Sequence, residues 1–210
     1  FVDNTWYTSP TFDASHGWNF GKSVCNTGGG RPQLVVDDGG LVHGLFTANS
    51  GSRGLWYVKW DPITDDLLQH RLSINACKSC GIGLDIADGV IHVAWFEGHY
   101  RYASSENGED WNEIKVANGR TYNSGIDVAV GQDGTIHVAF SRSKLQHYNC
   151  CVKVINSDPE NANDLGLMYT KKEAGASEFE AERALPILAG GSCVMEGYYY
   201  PALVCSDIMV

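Results

Sequence analysis

A chain of 210 residues with 43% hydrophobic and 11% aromatic content is long enough to bury a core and to form a single domain. Its formal charge of −10, with the basic residues scattered, argues against a phosphate-tracking nucleic-acid surface. No run of about twenty apolar residues is available to span a membrane, and the absence of a basic, apolar leader suits a mature secreted chain as well as a cytosolic one.

Taken in order, residues 1–24 carry Thr5-Trp6-Tyr7, expected as a third strand, and Trp18–Val24, expected as a fourth, with Phe12–Trp18 turning between them. Gly28–Gly30 precede Arg31-Pro32 and a first strand at Pro32–Val36. No helix follows the triple glycine to present its amides, so it is not a phosphate loop. Val42-His43, Leu55-Trp56-Tyr57 and Leu67–Leu72 continue as second, third and fourth strands.

The pattern is clearest from Gly81 to Val116, with Leu84–Ala87, an Asp88-Gly89 turn, Val90–Phe96, Tyr100–Ser104 and Trp111–Val116. Short apolar and β-branched runs closed by Asp-Gly and Asn-Gly predict an antiparallel meander. The next unit supplies Ile126–Val130, Ile136-His137 and, after an insertion at Ser141–Asp164, Leu167-Met168-Tyr169 and Phe179–Arg183. Insertions this long in a compact repeat are functional or disordered, and the cysteines in this one argue for order. Lys171–Glu182 is charged enough to suggest a helix, but the repeat phase makes it a hairpin turn plus outer strand. Residues 184–200 lead to a last first-type strand at Pro201–Cys205.

Aligned on the apolar-His dipeptide, the units recur about every 45 to 50 residues, the period of propeller blades. The expected fold is therefore all-β, a β-propeller of four-stranded antiparallel blades occupying 1–210 as one domain. Its blade parts are 1–26, 31–73, 81–117, 123–184 and the inner strand 198–210. The chain opens on strands three and four of a blade and closes on strand one. Either the ends meet to complete four blades without an exposed edge, or this is a segment of a larger propeller.

Seven cysteines point to an oxidising compartment, and their odd number leaves one free or paired outside the chain. The disulfide candidates are Cys25, Cys77, Cys80, Cys150, Cys151, Cys193 and Cys205. Cys77-Lys78-Ser79-Cys80 has the spacing of half a zinc site or a redox pair, but no second pair and no parallel βαβ pattern accompany it, so a structural disulfide is favoured. The adjacent Cys150 and Cys151 are expected to pair with different partners, since a bond between neighbours strains the peptide between them.

In a propeller, loops joining strand four to the next strand one, and strand two to strand three, share one face. All the cysteines but Cys205 fall in loops of that face, as do the ligand-binding candidates Arg31, Arg53, Glu97, His99, Arg120, Tyr122, His147, Tyr148, Tyr198 and Tyr199. Covalently fixed loops rich in Tyr, Arg and His suit a polar ligand with flat apolar faces, such as a sugar. Asp85 and Asp127 take equivalent places in two first strands. They read either as a catalytic carboxylate pair facing the channel, with His99, Arg101, His147 or Tyr148 assisting, or as repeat-encoded hydrogen-bond anchors. His43, His92 and His137 recur at one position and are expected to satisfy a backbone group in their own blade, since a metal site needs convergence on one point. By the same logic Tyr7, Tyr57, Tyr102 and Tyr169 are core. Trp56, Trp60 and Trp95 are assigned to core packing ahead of sugar stacking.

The stretch Ser104-Ser105-Glu106-Asn107-Gly108-Glu109-Asp110-Trp111 resembles the Asp-box of sialidase-like (BNR-repeat) propellers, Ser/Thr-x-Asp-x-Gly-x-x-Trp, with Glu106 in place of the aspartate. Tyr200-Pro201-Ala202-Leu203-Val204 and Arg31-Pro32-Gln33-Leu34 resemble the sialidase strand Tyr/Phe-Arg-Ile-Pro-Ala-Leu. At the position of the family's catalytic arginine stands Tyr199 in the first, and Arg31 abuts Pro32 in the second, so the arginine triad is not assigned. The resemblance implies the fold and leaves activity to the site.

Three functions are compatible with these residues: a secreted, extracellular lectin-like binder of glycans on its disulfide-stapled face, a carbohydrate-active glycosidase or polysaccharide lyase using Asp85 and Asp127, or an extracellular assembly protein. Glycans or glycoconjugates are the expected partners, without nucleic acid or membrane insertion, and the odd cysteine allows an oligomer. No cofactor is required, with room left for a structural cation such as calcium.

Overall fold

A computed structural model describes residues 32–48, 53–76, 81–118, 125–142, 146–148, 151–153 and 166–184, together with four short strands between residues 6 and 25. Among the described residues the chain is all-β, without a helix. The strands are β1 (Trp6–Tyr7), β2 (Pro10–Asp13), β3 (Gly17–Phe20), β4 (Ser23–Cys25), β5 (Gln33–Val36), β6 (Val42–Ala48), β7 (Gly54–Trp60), β8 (Leu67–Ser73) and β9 (Ile82–Ala87). They continue as β10 (Val90–Phe96), β11 (His99–Ser105), β12 (Asn112–Asn118), β13 (Ile126–Val130), β14 (Ile136–Arg142), β15 (Gln146–Tyr148), β16 (Cys151–Lys153), β17 (Gly166–Lys172) and β18 (Arg183–Ala184).

Three four-stranded antiparallel sheets form in chain order: β5-β6-β7-β8, β9-β10-β11-β12 and β13-β14-β17-β18. Each hairpin follows local chemistry. Ala87 and Val90 pair across a two-residue turn in which Asp88 and Gly89 have φ of 50° and 75°. Both values are positive, as a primed hairpin turn demands, and Asp-Gly supplies them at low cost.

Alternation gives the second sheet two apolar faces. Leu45, Leu55 and Tyr57 of the first sheet pack against Ile82, Leu84, Ile91, Val93, Trp95 and Ala103 of the second. Ala94, Phe96, Tyr100 and Tyr102 on the other face of the second sheet meet Ile126, Val128, Val138, Phe140 and Met168 of the third. The first strands approach one another, β9 against both β5 and β13. At Gly83 the approach is backbone to backbone, for a Cβ there would stand 2.6 Å from Val128 N and 2.8 Å from the Asp127 Cα.

Smaller pairings depart from the sequence reading. The expected fourth strand at Trp18–Val24 is divided, because β4 pairs with β1 while β3 pairs with β2 in a separate hairpin. The insertion beginning at Ser141 holds a second such hairpin, β15-β16, in which Tyr148 pairs with Cys151. Cys25 therefore ends a strand and Cys151 opens one, where both were expected in loops. Outer strand β18 starts at Arg183, later than the expected Phe179.

Candidate functional site

The repeated histidine sets the frame of each sheet. His43, His92 and His137 direct Nδ1 to the hydroxyls of Tyr57, Tyr102 and Tyr169 at 2.7, 2.7 and 2.6 Å. In every case the tyrosine pairs with the residue two beyond the histidine, so the contact is the same diagonal across strands two and three. The histidine satisfies a side chain of its own sheet, where a backbone group was expected. His43 and His92 are buried and His137 is half-buried.

Measured from that frame, Asp85 and Asp127 are not equivalent. Asp85 pairs with His92, whereas Ala129 pairs with His137 and Asp127 lies two residues earlier, opposite Ala139. Asp85 and His92 each lie two residues from the Ala87-Val90 pair that closes their hairpin, whereas Asp127 lies three before Val130 and His137 one after Ile136, and this asymmetry is the offset. Asp85 reaches the third sheet. Its Oδ1 accepts from Ile86 N at 2.9 Å and its Oδ2 from Val130 N at 2.7 Å. Asp127 Oδ1 accepts from Val128 N at 3.0 Å.

The Asp-box-like turn is likewise displaced by one residue from the sequence alignment. Ser105 Oγ accepts from Asn107 N and Gly108 N, and Asn107 Oδ1 accepts from Glu109 N and Asp110 N, so Ser105 and Asn107 hold the turn. Ser104 and Glu106 do not. Gly108 has φ +85° and packs on Tyr57, and Trp111 meets the Tyr57 ring edge-on at 5.2 Å. Between β17 and β18, Phe179 stands edge-on to Tyr102 in the same manner at 5.4 Å. A pocket of about 550 Å³ opens beside the turn, lined by Glu106, Asp110, Trp111 and Asn112 among others.

At the opposite end of the sheets, Glu97, expected to bind ligand, and Arg101, expected to assist the carboxylate pair, come together. Glu97 is half-buried in the β10-β11 turn. Its Oε2 accepts from Ser73 Oγ and from Trp95 Nε1 at 3.2 Å, and its Oε1 lies 3.7 Å from Arg101 Nη2. Ser73 Oγ in turn accepts from Asn75 N and Ala76 N, which ties the end of β8 to the same point. Arg101 also pairs with Glu113 through Nη1.

At the same end, His99 Nδ1 and Arg101 Nε are buried and lack a hydrogen-bond partner among the described residues. Arg53 is exposed at the start of β7, next to Gly54, whose backbone lies against the Ser73 carbonyl. Sequence reasoning named Arg53, Glu97, His99 and Arg101 but missed Ser73, which folding alone brings to Glu97.

The other sequence candidates Arg31, Arg120, Tyr122, Tyr198 and Tyr199 lie outside the described residues, as do Cys77, Cys80, Cys150, Cys193 and Cys205. His147, Tyr148, Cys25 and Cys151 are placed as strand backbone only. Trp95 is buried in the core, while Trp56 is half-buried beneath Arg71 at 5.6 Å and Trp60 donates to Asp65 at 3.0 Å. Among the described residues no three His, Cys, Asp or Glu side chains gather as a metal site.

A scan against protein-family models finds no match for the chain, and a search of curated proteins likewise returns none.

Proposed function

We propose that this chain is a secreted, lectin-like protein that binds glycans at the end of the sheets that carries Arg53, Glu97, His99 and Arg101. The observation that carries this is a polar cluster in which Glu97 holds Ser73, Trp95 and Arg101 while, among the described residues, His99 Nδ1 and Arg101 Nε have no hydrogen-bond partner. A buried polar group left unpaired costs about 1–3 kcal/mol, and a ligand rich in hydroxyls offers such groups both donors and acceptors. Glu97 then acts as the rigid support, and the partly exposed side chains of His99 and Arg101 supply the recognising groups.

The architecture proposed with it is a β-propeller of the sialidase-like, BNR-repeat kind. Adjacent first strands and sheets packed face to face in chain order support a radial arrangement. Leu34 on β5 is 64% exposed, whereas Leu84 at the same register in β9 is 7% exposed beneath the first sheet. A fourth blade built from β1, β4 and an inner strand at Pro201–Cys205 would give Leu34 the same cover.

Binding is favoured over turnover because both oxygens of Asp85 are held by amides, which removes one member of the carboxylate pair that an enzyme reading requires. A glycan array paired with a turnover assay on the bound sugars tests the reading. Binding without turnover is expected, weakened about tenfold or more in Arg101→Ala and His99→Ala, in keeping with the roughly 1.4 kcal/mol per decade of affinity. Turnover abolished by Asp127→Asn overturns it in favour of an enzyme, and silence in both assays in favour of an assembly role.

A further inference from the structure

The three His-Tyr pairs repeat, but the charges around their outer nitrogens do not. His43 Nε2 lies 3.1 Å from Asp37 Oδ2, so a carboxylate stands ready at the nitrogen that Tyr57 does not use. Lys59 is the remaining charge set against His43. His92 is buried at the junction of the second and third sheets, with Tyr102 on Nδ1. The charges facing it are Asp85 from β9 and Lys172 from β17. Asp85 already accepts two backbone amides, one of them from the third sheet.

We infer that the junction of the second and third sheets is an acid-sensitive seam, which opens on protonation of His92 before the junction of the first and second sheets yields. The chemistry is a single proton gain. Neutral His92 accepts the Tyr102 proton at Nδ1; as an imidazolium it must donate there instead, and Tyr102 must turn its own hydrogen toward Ser104, with which it also hydrogen-bonds. The new positive charge then sits desolvated near Lys172, with the two oxygens of Asp85 each already accepting an amide. At His43 the same proton leaves an ion pair with Asp37.

Burial, the largest influence, lowers His92 to about 4, with Asp85 opposing and Lys172 assisting. His43 is lowered too, first by burial, with Asp37 pulling upward. A histidine depressed in the folded state takes up its proton more readily when unfolded. Its contribution to stability is therefore whole above about pH 6.5 and is lost as pH falls through about 4.

Hydrogen exchange read by mass spectrometry between pH 7 and 4, corrected for intrinsic rates, tests the order of opening. Amides of β10, β11, β13 and β14 are expected to lose protection while β6 and β7 retain it, and His92→Gln is expected to move the acid midpoint down by about one pH unit. Loss beginning in β6 and β7, or all at once with the midpoint unmoved in His92→Gln, overturns the inference. If that variant does not fold, NMR titration of the His92 ring in the unaltered protein decides: protonation near pH 6.5 with the fold intact also overturns it, and none above about pH 5 supports it.

Discussion

Asp85 on β9 accepts a 2.7 Å hydrogen bond from the amide of Val130 on β13, and its second oxygen accepts from the neighbouring Ile86 amide. One side chain thus stitches the second sheet to the third at their first strands, where Gly83 also lies against the backbone of Asp127. The carboxylate is an acceptor with two backbone donors, an arrangement that orders a junction.

Asp85→Ala leaves the Val130 amide unpaired at that junction. Loss of such a partner costs about 1–3 kcal/mol, so chemical denaturation should show destabilisation of that size with little change in the glycan binding proposed for the other end of the sheets. A catalytic carboxylate would give the reverse pattern, lost turnover with stability kept.

Gly83→Ala tests the strand contact itself. The added methyl would meet main-chain atoms of Asp127 and Val128 at 2.6 to 3.0 Å, and backbone in a paired strand yields less readily than a side-chain tip. The penalty should equal or exceed the ~1–3 kcal/mol of core overpacking. A thermal melt unchanged from the parent would show that the sheets stand farther apart than this.

These two residues also mark what the sequence makes legible. The histidine period sets the units, and Asp88-Gly89 fixes a hairpin whose two positive φ values only a short list of residues tolerates. Asp85 and Asp127 look equivalent when counted from strand starts. They are two positions apart because Asp85 and His92 sit symmetrically about the closing pair Ala87-Val90 while Asp127 and His137 sit three and one residues from Val130-Ile136, and the apolar pattern does not mark which pair closes a hairpin. The partner of each histidine is a diagonal neighbour on the third strand, visible only once register is fixed. Ser73 escaped notice for a similar reason, since it reaches Glu97 from another sheet 24 residues away.

Gly108→Ala tests the cover that the second sheet places over the first. Gly108 has φ +85°, and a Cβ there would lie 2.6 Å from Tyr57 Cε1. A left-handed conformation costs an ordinary residue about 1–2 kcal/mol, and displacement of the buried tyrosine adds to it. Destabilisation of about 2–3 kcal/mol is expected by urea denaturation, together with a changed near-ultraviolet circular dichroism from the Tyr57-Trp111 contact. Asn107→Ala should cost less, about 1 kcal/mol in line with the loss of a capping side chain, because it removes amide acceptors without disturbing Tyr57.

Glu97 separates support from recognition. Glu97→Ala removes the acceptor of Ser73 and Trp95 and one of the two carboxylates on Arg101. The buried Trp95 indole N–H then lacks a partner, so stability should fall by about 1–3 kcal/mol and Trp95 fluorescence should change. Arg101, released on one side, should lose its fixed orientation, and glycan affinity should drop with it. Glu97→Gln retains an oxygen acceptor and gives up the charge, so it should keep most of the stability while still weakening the hold on Arg101. Affinity that falls in Glu97→Gln while the melting temperature stays near the parent would place the effect on Arg101 positioning, and equal losses in both variants would place it on the fold of the β10-β11 turn.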